Sequence, residues 1–417
     1  MNLNSSRRGF LGTLGAVAAA LSAPHKLFAA KPSAEQTAPA ITGLGQSGNP
    51  YQELGVTTVI NGEGTMTTLG GSLIRPEVEA VMAQAARHFV SITELEVAAG
   101  KRIAQMLKLP QGYSAIVTSG AAAAIQSGLA GILTGDNESL IKQLPDLTGM
   151  KSEVIIQKAH RNPFDHQLRT TGVKLIEVET HEQLRRAVSE RTAMMHFSNF
   201  ANAAGQIKVD EWPKLAKQFN VPCMNDAAAD TPPVSHLWEY ANMGYDLITF
   251  SGGKAMRGPQ CAGMLIGRED LVHYALLNNS PNEDTLGRSQ KVGKEEIVGM
   301  VKALEIYLSE DHDALAREWQ QRLENISKQI TKVPGVSTSF FIPDIANHVP
   351  HMQITWDQRI SLTPKQASQL LRSGQPSVVI GGGEERPGLA MNSFMLQPGE
   401  DQIVAEQLVR VLRSHSA

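Results

Sequence analysis

The chain contains little cysteine, few aromatic residues and no excess of positive charge. Its 417 residues include two cysteines, 5% aromatic residues and a formal net charge of −3. Cys223 and Cys261 cannot build a disulfide framework, and no spaced set of Cys and His residues predicts a zinc site. Proteins that bind nucleic acid neutralise its phosphates with clustered Lys and Arg. We therefore expect neither a metal site nor a nucleic-acid partner.

The apolar run near the amino terminus is too short and too rich in Gly and Ala to span a membrane comfortably. It covers residues 12–23 and follows the charged pair Arg7-Arg8 and the dipeptide Phe10-Leu11. A charged start, an apolar middle and a region of small residues are the three parts of an export signal. The arginine pair makes this one resemble a twin-arginine (Tat) signal. We predict that the Tat export machinery is a partner of the precursor.

Small residues near Ala29 and Ala30 offer a cleavage site for this signal. Cleavage there would release a periplasmic protein, whereas a retained segment would tether the protein to the membrane. We predict a signal peptide at residues 1–30. Residues 31–50 are rich in Ala, Pro, Gly, Ser and Gln, which is typical of a flexible leader.

Seven apolar, strand-like segments follow one another in the middle of the chain, with helical patterns between most of them. The segments are 114–118, 154–157, 173–178, 193–197, 222–226, 247–251 and 263–267. This alternation predicts an α/β fold with a mostly parallel seven-stranded sheet covered on both faces. The link between the last two segments is too short for a helical crossover, so we expect these two strands to be antiparallel neighbours. In such sheets ligands bind beyond the carboxyl ends of the strands.

The pattern changes after Gly287. Ile297, Val301, Leu304 and Leu308 recur at spacings of four, three and four, which predicts an amphipathic helix.

The remainder of the chain mixes helices with short strands at 351–355, 377–380 and 389–392. Such a mixture is typical of a smaller α+β domain. A chain of this length, with 42% hydrophobic residues, has room for two domains. We predict a large domain at 51–290, and a linking helix with a small domain at 291–417.

Lys254 stands in a glycine-rich turn at the end of the strand-like segment that closes with Ser251. Gly252 and Gly253 precede it, and a Gly-Pro pair follows. Glycines let the backbone approach a ligand closely. A partly desolvated lysine is a Schiff-base nucleophile. The segment predicts that Lys254 binds pyridoxal 5′-phosphate (PLP) covalently, although a surface turn that carries a lysine shows the same pattern.

A second strand end opens into a helix of small residues. Thr118 ends the strand, and Ser119, Gly120 and Ala121 begin the helix. The free N–H groups and the positive dipole end of a helix amino terminus suit a phosphate. The hydroxyl of Ser119, Thr118 or Ser251 could add a hydrogen bond. An Ala-rich helix packed tightly on the sheet is the alternative.

An acidic residue, Asp226, ends a third strand-like segment and is followed by Ala227 and Ala228. In PLP enzymes an aspartate pairs with the pyridine nitrogen and keeps it protonated, so that the ring can accept electrons. A carboxylate that caps the next helix is equally compatible with this position. The sequence therefore offers Asp226 as a candidate partner of the cofactor ring.

Two histidines follow the strand-like segment 154–157. His160 could stack on the cofactor ring, and His166 could do so instead or act as an acid or base. A loop histidine satisfied by hydrogen bonds is the alternative for either residue.

These features follow one another in the order of fold-type I PLP enzymes. A phosphate-type helix start at Ser119 comes first, then Asp226 at a strand end, and then Lys254 at the next strand end. Residues 250–254 and 258–263 resemble the S-G-D-K…G-G-P-Q-A-G signature of the selenocysteine-synthase-like (SelA-like) family. That family includes L-seryl-tRNA selenium transferase and D-glucosaminate-6-phosphate ammonia-lyase. Residues 59–70, 198–199 and 292–296 also match, and the resemblance covers residues 52–310.

The resemblance implies the fold-type I PLP-dependent transferase fold, PLP as the cofactor, and a homodimer or higher homo-oligomer. It places Asn61–Gly70 close to the active site, with a dimer interface as one route of approach. The residues that it assigns to the cofactor are Lys254 as the covalent anchor, Asp226 as the pyridine partner, and Ser119, Gly120 and Ser251 near the phosphate.

Two positions depart from the family pattern, because Gly253 stands where the transferases commonly have an acid and Arg257 replaces a small residue. The segment before residue 50 resembles an export signal and not a tRNA-binding domain. We therefore expect an exported lyase that acts on an amino acid or amino sugar acid. In that reaction Lys254 would take the α-proton, and β-elimination would follow.

Racemisation and aldol cleavage are alternatives that would use the same first residues. Selenium transfer to seryl-tRNA is another alternative. Ligand binding without catalysis is a further one, although binding alone does not need a Schiff-base lysine such as Lys254. No spacing singles out the residue that binds a substrate carboxylate or phosphate. The arginine candidates for that role are Arg75, Arg161, Arg257 and Arg386.

Overall fold

The computed structural model describes residues 44–45, 48–382 and 387–416. The predicted signal peptide and most of the predicted leader lie outside these residues. The chain divides into two compact units, Met1–Thr57 and Thr58–Ala417. In the described part of the first unit, the short helix α1 (Pro50–Glu53) begins at Asn49, whose side chain accepts hydrogen bonds from the N–H groups of Tyr51 and Gln52. Everything that follows concerns the second unit.

Helices and strands alternate along the second unit. The strands are β1 (Val59–Asn61), β2 (Tyr113–Thr118), β3 (Glu153–Gln157), β4 (Lys174–Val178), β5 (Thr192–Ser198), β6 (Cys223–Asp226), β7 (Leu247–Ser251), β8 (Gly263–Arg268), β9 (Val336–Phe341), β10 (His351–Trp356), β11 (Ser377–Val379), β12 (Gly381–Gly382) and β13 (Leu389–Asn392). The helices are α2 (Pro76–Ala85), α3 (Ile92–Leu107), α4 (Gly120–Thr134), α5 (Glu138–Gln143), α6 (His166–Arg169), α7 (His181–Ala187), α8 (Trp212–Gln218), α9 (His236–Met243), α10 (Glu269–Leu277), α11 (Lys294–Ser309), α12 (His312–Ile330), α13 (Pro364–Arg372) and α14 (Glu400–Arg413). None of the described helices is long and apolar enough to span a membrane.

The central sheet has seven strands in the order β2-β8-β7-β6-β5-β3-β4. Strand β8 is antiparallel to both of its neighbours, and the other pairs are parallel. All seven predicted strands are present, with ends that differ by at most one residue, and the predicted antiparallel pair is confirmed. The short connection after β7 leaves no room for a helical crossover, which is why β8 runs in the opposite direction.

Both faces of this sheet are covered, and its strands other than the edge strand β4 are buried along most of their length. All seven residues of β5 are buried. One face packs on a core that includes Ile103, Phe197 and Trp212, and the other packs on a core around Leu129 and Met194. A strand buried on both faces is apolar without alternation, which explains why the sequence shows these strands as continuous apolar runs.

A second, antiparallel sheet of order β12-β13-β10-β9 forms the smaller carboxyl-terminal part, which confirms the α+β expectation. Its core includes Leu323 and Ile326 of α12 and Leu408 of α14. Strand β1 pairs in parallel with β11, so that Ile60 joins this core. The sequence analysis did not predict this pairing, because nothing local connects two segments more than 300 residues apart. The boundaries predicted at 50 and 290 stay a prediction.

Helix α11 connects the two parts and confirms the predicted amphipathic helix. Ile297, Met300 and Leu304 are fully buried on its inner face. The spacing of three and four residues places these side chains on one side of the helix.

Glu96 is a buried carboxyl in α3 that faces the edge of the central sheet. Only 1% of the residue is exposed, and the N–H of Val117 in β2 donates to its Oε2 at 2.9 Å. Burial raises the pKa of Glu96 to about 8, against the smaller opposing effect of the Val117 hydrogen bond. The carboxyl is therefore neutral in the folded protein at pH 7, whereas in the unfolded chain it ionises at its ordinary pKa.

We expect Glu96→Gln to stabilise the protein in alkaline solution. In the wild type the folded state binds more protons than the unfolded state between pH 4.5 and 8, so its stability falls as pH rises through this window. Glutamine keeps the acceptor for Val117 and never ionises. The difference in unfolding free energy should be small at pH 4.5 and reach about 4 kcal/mol at pH 8.5, because each unit of pKa difference contributes about 1.4 kcal/mol. Urea unfolding of both proteins at the two pH values measures it.

Glu94→Gln, in the exposed first turn of the same helix, is the matched control. It should show no pH-dependent gain of this size. A Glu96→Gln protein whose advantage is the same at pH 4.5 and pH 8.5 would contradict the prediction.

Candidate active site

Lys254 follows strand β7 in a tight turn that the chain itself holds closed. The N–H of Gly252 donates to the carbonyl of Ala262 at 2.8 Å, and that of Gly258 to the carbonyl of Gly252 at 2.9 Å. A Cβ atom at Gly253 would lie 2.6 Å from the Cα atom of Gln260. The sequence interpretation attributed these glycines to the close approach of a ligand. The structure gives a different reason, which is the close packing of the turn on its own neighbouring backbone.

The Lys254 amine and the Asp226 carboxylate interact inside the protein. Burial lowers the pKa of Lys254, and the charge of Asp226 opposes this effect most, followed by that of Asp230. Asp226 is 7% exposed; burial raises its pKa, and the nearby Lys254 opposes the increase. The N–H of Ala228 donates to Asp226 Oδ1 at 3.2 Å and helps to fix the carboxylate. The structure therefore brings these two predicted residues together.

The strand register places the phosphate candidates at the same edge of the sheet as Asp226. Asp226 is opposite Thr249 in the β6–β7 pair, and the Thr249 hydroxyl donates to the carbonyl of Ala121 at 3.4 Å. Side chains two apart on a strand share a face, so Ser251 lies on the same side as Thr249. Ser251 is in turn opposite Gly263 of β8. Ala121 and Ser251 thus lie near the carboxyl ends of β2 and β7, the two strands on either side of β8.

The start of α4 offers backbone N–H groups at this edge. Ser119 is the residue before the helix, and its side chain makes no capping hydrogen bond. Gly120 has a φ of +81°, and a Cβ added there would meet nothing within 4 Å. A Cβ at Gly263 would lie 2.7 Å from the Gly120 carbonyl carbon, so glycine is needed there to seat the helix start against β8. These free N–H groups and the dipole end suit a phosphate.

A buried polar cluster around Asp230, which the sequence did not predict, interacts with both Lys254 and Asp226. Asp230 Oδ2 accepts hydrogen bonds from the Asn199 side-chain amide and from the Tyr240 hydroxyl, the latter at 3.4 Å. Burial, opposed by the Asn199 hydrogen bond and assisted by the charge of Asp226, raises the pKa of Asp230 to about 7. The sequence signal was present as a second acid four residues after Asp226. The partners of Asp230 come from distant segments. The acid by itself therefore predicted no role.

The two candidate histidines have different environments. The ring of His160 is fully buried, lies edge-on to Phe197 at 4.4 Å between centroids, and accepts at Nδ1 from the N–H of Ser198 at 3.3 Å. Burial, with the charge of Lys208, lowers the pKa of His160 to about 4, so the ring is neutral at pH 7. His166 is exposed and contacts Arg169. The stacking of either ring on the cofactor stays a prediction.

The segment that begins at Asn61 contacts the Lys254 turn within one chain. The Gln260 side chain donates to the carbonyl of Thr67 at 3.2 Å. A Cβ at Gly71 would lie 2.6 Å from the carbonyl oxygen of Gly253. The predicted proximity of Asn61–Gly70 to the Lys254 region therefore agrees with the structure, whereas contact across a dimer interface stays a prediction.

The four candidate arginines are used differently. Arg75 donates to Glu310 at 2.7 Å, and Arg161 pairs with Asp165 and Glu177. Arg386 lies outside the described residues. Arg257 donates from Nε to the carbonyl of Leu73 at 2.9 Å, and no carboxylate of the described residues pairs with it.

The arrangement fits PLP and offers no metal site among the residues that the structure describes. A phosphate fits the free N–H groups at the start of α4. The Asp226 carboxylate is buried where it can hold a proton on a ring nitrogen, and the half-buried Lys254 is close enough for the two charges to act on each other. These three features lie at the carboxyl ends of β2, β6 and β7, where open α/β sheets bind ligands.

Comparison with known proteins agrees with this assignment. The D-glucosaminate-6-phosphate ammonia lyase of Salmonella typhimurium (strain 14028s / SGSC 2262) is 26% identical over 382 residues, which cover 88% of this chain and 99% of the relative. A 5′-C-glycyluridine monooxygenase-decarboxylase of a Streptomyces species is 26% identical over 380 residues, or 88% of this chain and 92% of the relative. The solved structure of a D-glucosaminate-6-phosphate ammonia-lyase superimposes with a TM-score of 0.76 at 25% identity, covering 88% of this chain and 99% of that one.

The family model described as "SelA: L-seryl-tRNA selenium transferase" matches residues 59–333, which is more than half of the chain. This span contains the whole central sheet, the Lys254 turn and Asp226. The chain therefore belongs to the SelA family and is a PLP-dependent enzyme of the lyase and transferase group with the type I fold.

Proposed function

We propose that this enzyme is a lyase that removes a β-substituent from an amino acid or amino sugar acid. The observation that carries the proposal is the half-buried Lys254 at the end of β7, whose pKa is lowered by burial and which lies within electrostatic reach of the buried Asp226 carboxylate at the end of β6. A lysine with a lowered pKa is neutral in a larger fraction of molecules at pH 7, and only the neutral amine can accept a proton.

Each residue has a distinct task in this reaction. When bound, PLP supplies a carbonyl that captures the substrate's amino group and a ring that accepts electrons. The Lys254 amine, once displaced by the substrate, takes the proton from the α-carbon. Asp226 holds the proton on the ring nitrogen, and the N–H groups at the start of α4 anchor the phosphate. A β-hydroxyl would leave as water with the proton that Lys254 has taken, and water would then hydrolyse the resulting unsaturated amino acid to a keto acid and ammonia.

The similarity to D-glucosaminate-6-phosphate ammonia lyase along nearly the whole of that relative supports elimination over transfer to tRNA. The formal charge of −3 supports the same choice, because a tRNA partner favours a basic surface. Racemisation and aldol cleavage remain candidate reactions, since both begin with Lys254 and Asp226. The monooxygenase-decarboxylase relative, at equal identity, indicates that this fold carries several chemistries.

Product analysis tests the proposal. The PLP-loaded, full-length protein is incubated with a panel of hydroxylated amino acids and amino sugar acids, and ammonia and keto acid are quantified. We expect both products in equal amounts from at least one compound. Inverted substrate without ammonia would show racemisation, and an aldehyde product would show aldol cleavage. Transfer to seryl-tRNA with no ammonia from any compound would overturn the lyase assignment.

We also propose that the enzyme is exported by the Tat pathway to the periplasm. The Arg7-Arg8 pair and the apolar run 12–23 support this proposal. The route suits a PLP enzyme, because Tat moves folded proteins and the cofactor can be inserted in the cytoplasm.

Replacing both Arg7 and Arg8 with lysine should leave the precursor in the cytoplasm, with at least about a tenfold loss of periplasmic protein. Cell fractionation and immunoblotting measure the distribution. The matched control is Lys31→Arg, which changes a basic residue just beyond the predicted signal. Unchanged secretion of the double-lysine variant would remove the Tat assignment.

The homo-oligomer implied by the family resemblance stays a prediction. Large apolar side chains are exposed at Phe89, Phe164 and Phe200, which is compatible with a contact surface. Light scattering on the purified enzyme measures its mass directly.

A further inference from the structure

A cavity of about 280 Å³ opens beside the Lys254 turn. Ala255 and Arg257 of the turn line one side, and α12 and the segment after β13 line the other. Trp319 and Phe394 form its apolar wall, with ring centroids 5.7 Å apart. The cavity is of a size for part of a small molecule and not for a macromolecule.

The charges in this cavity do not balance. Arg75, Arg257 and Arg322 line it together with Glu310 and Glu318. Glu310 pairs with Arg75 at 2.7 Å, and Glu318 pairs with Arg322 at 2.5 Å. Both carboxylates are thereby engaged, and the guanidinium that remains without a carboxylate partner in the described structure is that of Arg257. The local charge is one unit positive, in a partly apolar surrounding where an anion binds more strongly than in water.

The backbone at Arg257 is strained, and hydrogen bonds fix the orientation of its side chain. Its φ is +54°, a left-handed conformation that costs energy for any residue except glycine. The N–H of Arg257 donates to the carbonyl of Lys254 at 2.9 Å, which fixes the two residues in one turn. A single hydrogen bond, from Nε to the Leu73 carbonyl, orients the guanidinium and leaves both terminal nitrogens for a ligand.

Half-burial and the neighbouring charge of Arg75 lower the pKa of Arg257. The Glu310 and Glu77 carboxylates oppose this effect by smaller amounts, and neither forms an ion pair with Arg257. The two arginines therefore repel each other across the cavity, and an anion placed between them would relieve that repulsion.

We propose that the cavity takes a second anionic group of the substrate, a phosphate or a carboxylate, with Arg257 as its principal contact. Neither Lys254 nor Asp226 lines the cavity. The α-carboxylate of a substrate is bonded to the same carbon as the amino group and must stay close to Lys254. A group bound in the cavity thus lies further along the substrate. This inference rests on the proposed function and narrows its substrate class to amino acids with a distal acid.

Matched ligand pairs test this assignment on the PLP-loaded, full-length protein by calorimetry. One pair is D-glucosaminate 6-phosphate and D-glucosaminate, and the other is glutamate and glutamine. Within at least one pair the wild type should bind the anionic member at least about tenfold more tightly. Arg257→Asn should weaken the binding of that anionic member by about tenfold to a hundredfold. It should change the affinity for the neutral member by less than about twofold. Asparagine removes the charge and tolerates a positive φ.

Arg317→Asn, an exposed arginine on α12 outside the cavity, is the matched control and should bind all four ligands as the wild type does. Thermal unfolding checks that Arg257→Asn is folded, and Arg257→Lys should keep part of the preference. A preference in the first pair alone identifies phosphate, and one in the second pair alone identifies carboxylate. The absence of any preference in both pairs, or its survival in Arg257→Asn, overturns the proposal.

The same samples separate this inference from the proposed function. A charge preference that Arg257→Asn removes, without ammonia release from any ligand, leaves the anion site standing and refutes elimination. Ammonia release that is equally fast from both members of each pair and unchanged in Arg257→Asn supports elimination and refutes the anion site.

Discussion

Lys254→Ala should abolish the reducible covalent adduct with PLP and lower turnover by at least about 1,000-fold. The loss should be this large because the lysine has two tasks, anchoring the cofactor and taking the α-proton. Its location supports both, since Lys254 is half-buried within electrostatic reach of Asp226 and burial lowers its pKa. Borohydride reduction followed by mass spectrometry detects the adduct, and ammonia release measures turnover.

A control variant and chemical rescue show whether the loss is specific to the Lys254 amine. Lys291→Ala, an exposed lysine elsewhere in the same chain, should keep both the adduct and the activity. Added methylamine should restore part of the turnover of Lys254→Ala if the missing group is a base. A Lys254→Ala protein that still forms the adduct would place the anchor at another lysine.

Asp226→Asn should lower turnover by at least about 100-fold while the protein still binds PLP. The amide has nearly the same shape as the carboxylate but carries no negative charge to hold a proton on the ring nitrogen. The same charge acts on Lys254, whose pKa it raises. Removing it should therefore lower the pKa of Lys254 further. In the cofactor-free protein, the rate of covalent capture of PLP should then reach its maximum at a lower pH than in the wild type.

Absorbance titration of PLP against pH measures this shift. Asp210→Asn, at an exposed aspartate that pairs with Lys214, is the control and should leave both turnover and the pH dependence unchanged. If Asp226→Asn lowers turnover without moving the pH dependence of capture, the electrostatic coupling between the two residues is wrong.

Much of the fold could be predicted because its signals are local. Each strand of the central sheet is a short apolar run, and the length of the link after Ser251 determined the direction of β8. The candidate site was also largely predictable. Lys254, Asp226 and the start of α4 each follow a strand, and the carboxyl ends of strands in such a sheet face one region.

Other features depend on contacts between distant segments and had no local signal. Strand β1 reaches the small sheet by pairing with β11, and Asp230 finds its partners in Asn199 and Tyr240. The sequence correctly indicated a tight glycine-rich turn beside Lys254, but the reason given for its glycines was wrong. They were attributed to a ligand, but they are required by the backbone of Gln260 and Ala262.

The sequence by itself determined the central sheet and the cofactor and offered Lys254 as the candidate anchor, because strand formation and the order of the site residues are local properties of short segments. The tertiary structure alone decided the pKa values of the buried acids and the pairing of the charged groups. Burial and neighbouring groups set the pKa of Asp230 and Glu96, and the pairing of Glu310 with Arg75 leaves Arg257 without a carboxylate partner among the described residues. A charge depends on everything packed around it, and that surrounding is assembled only when the chain folds.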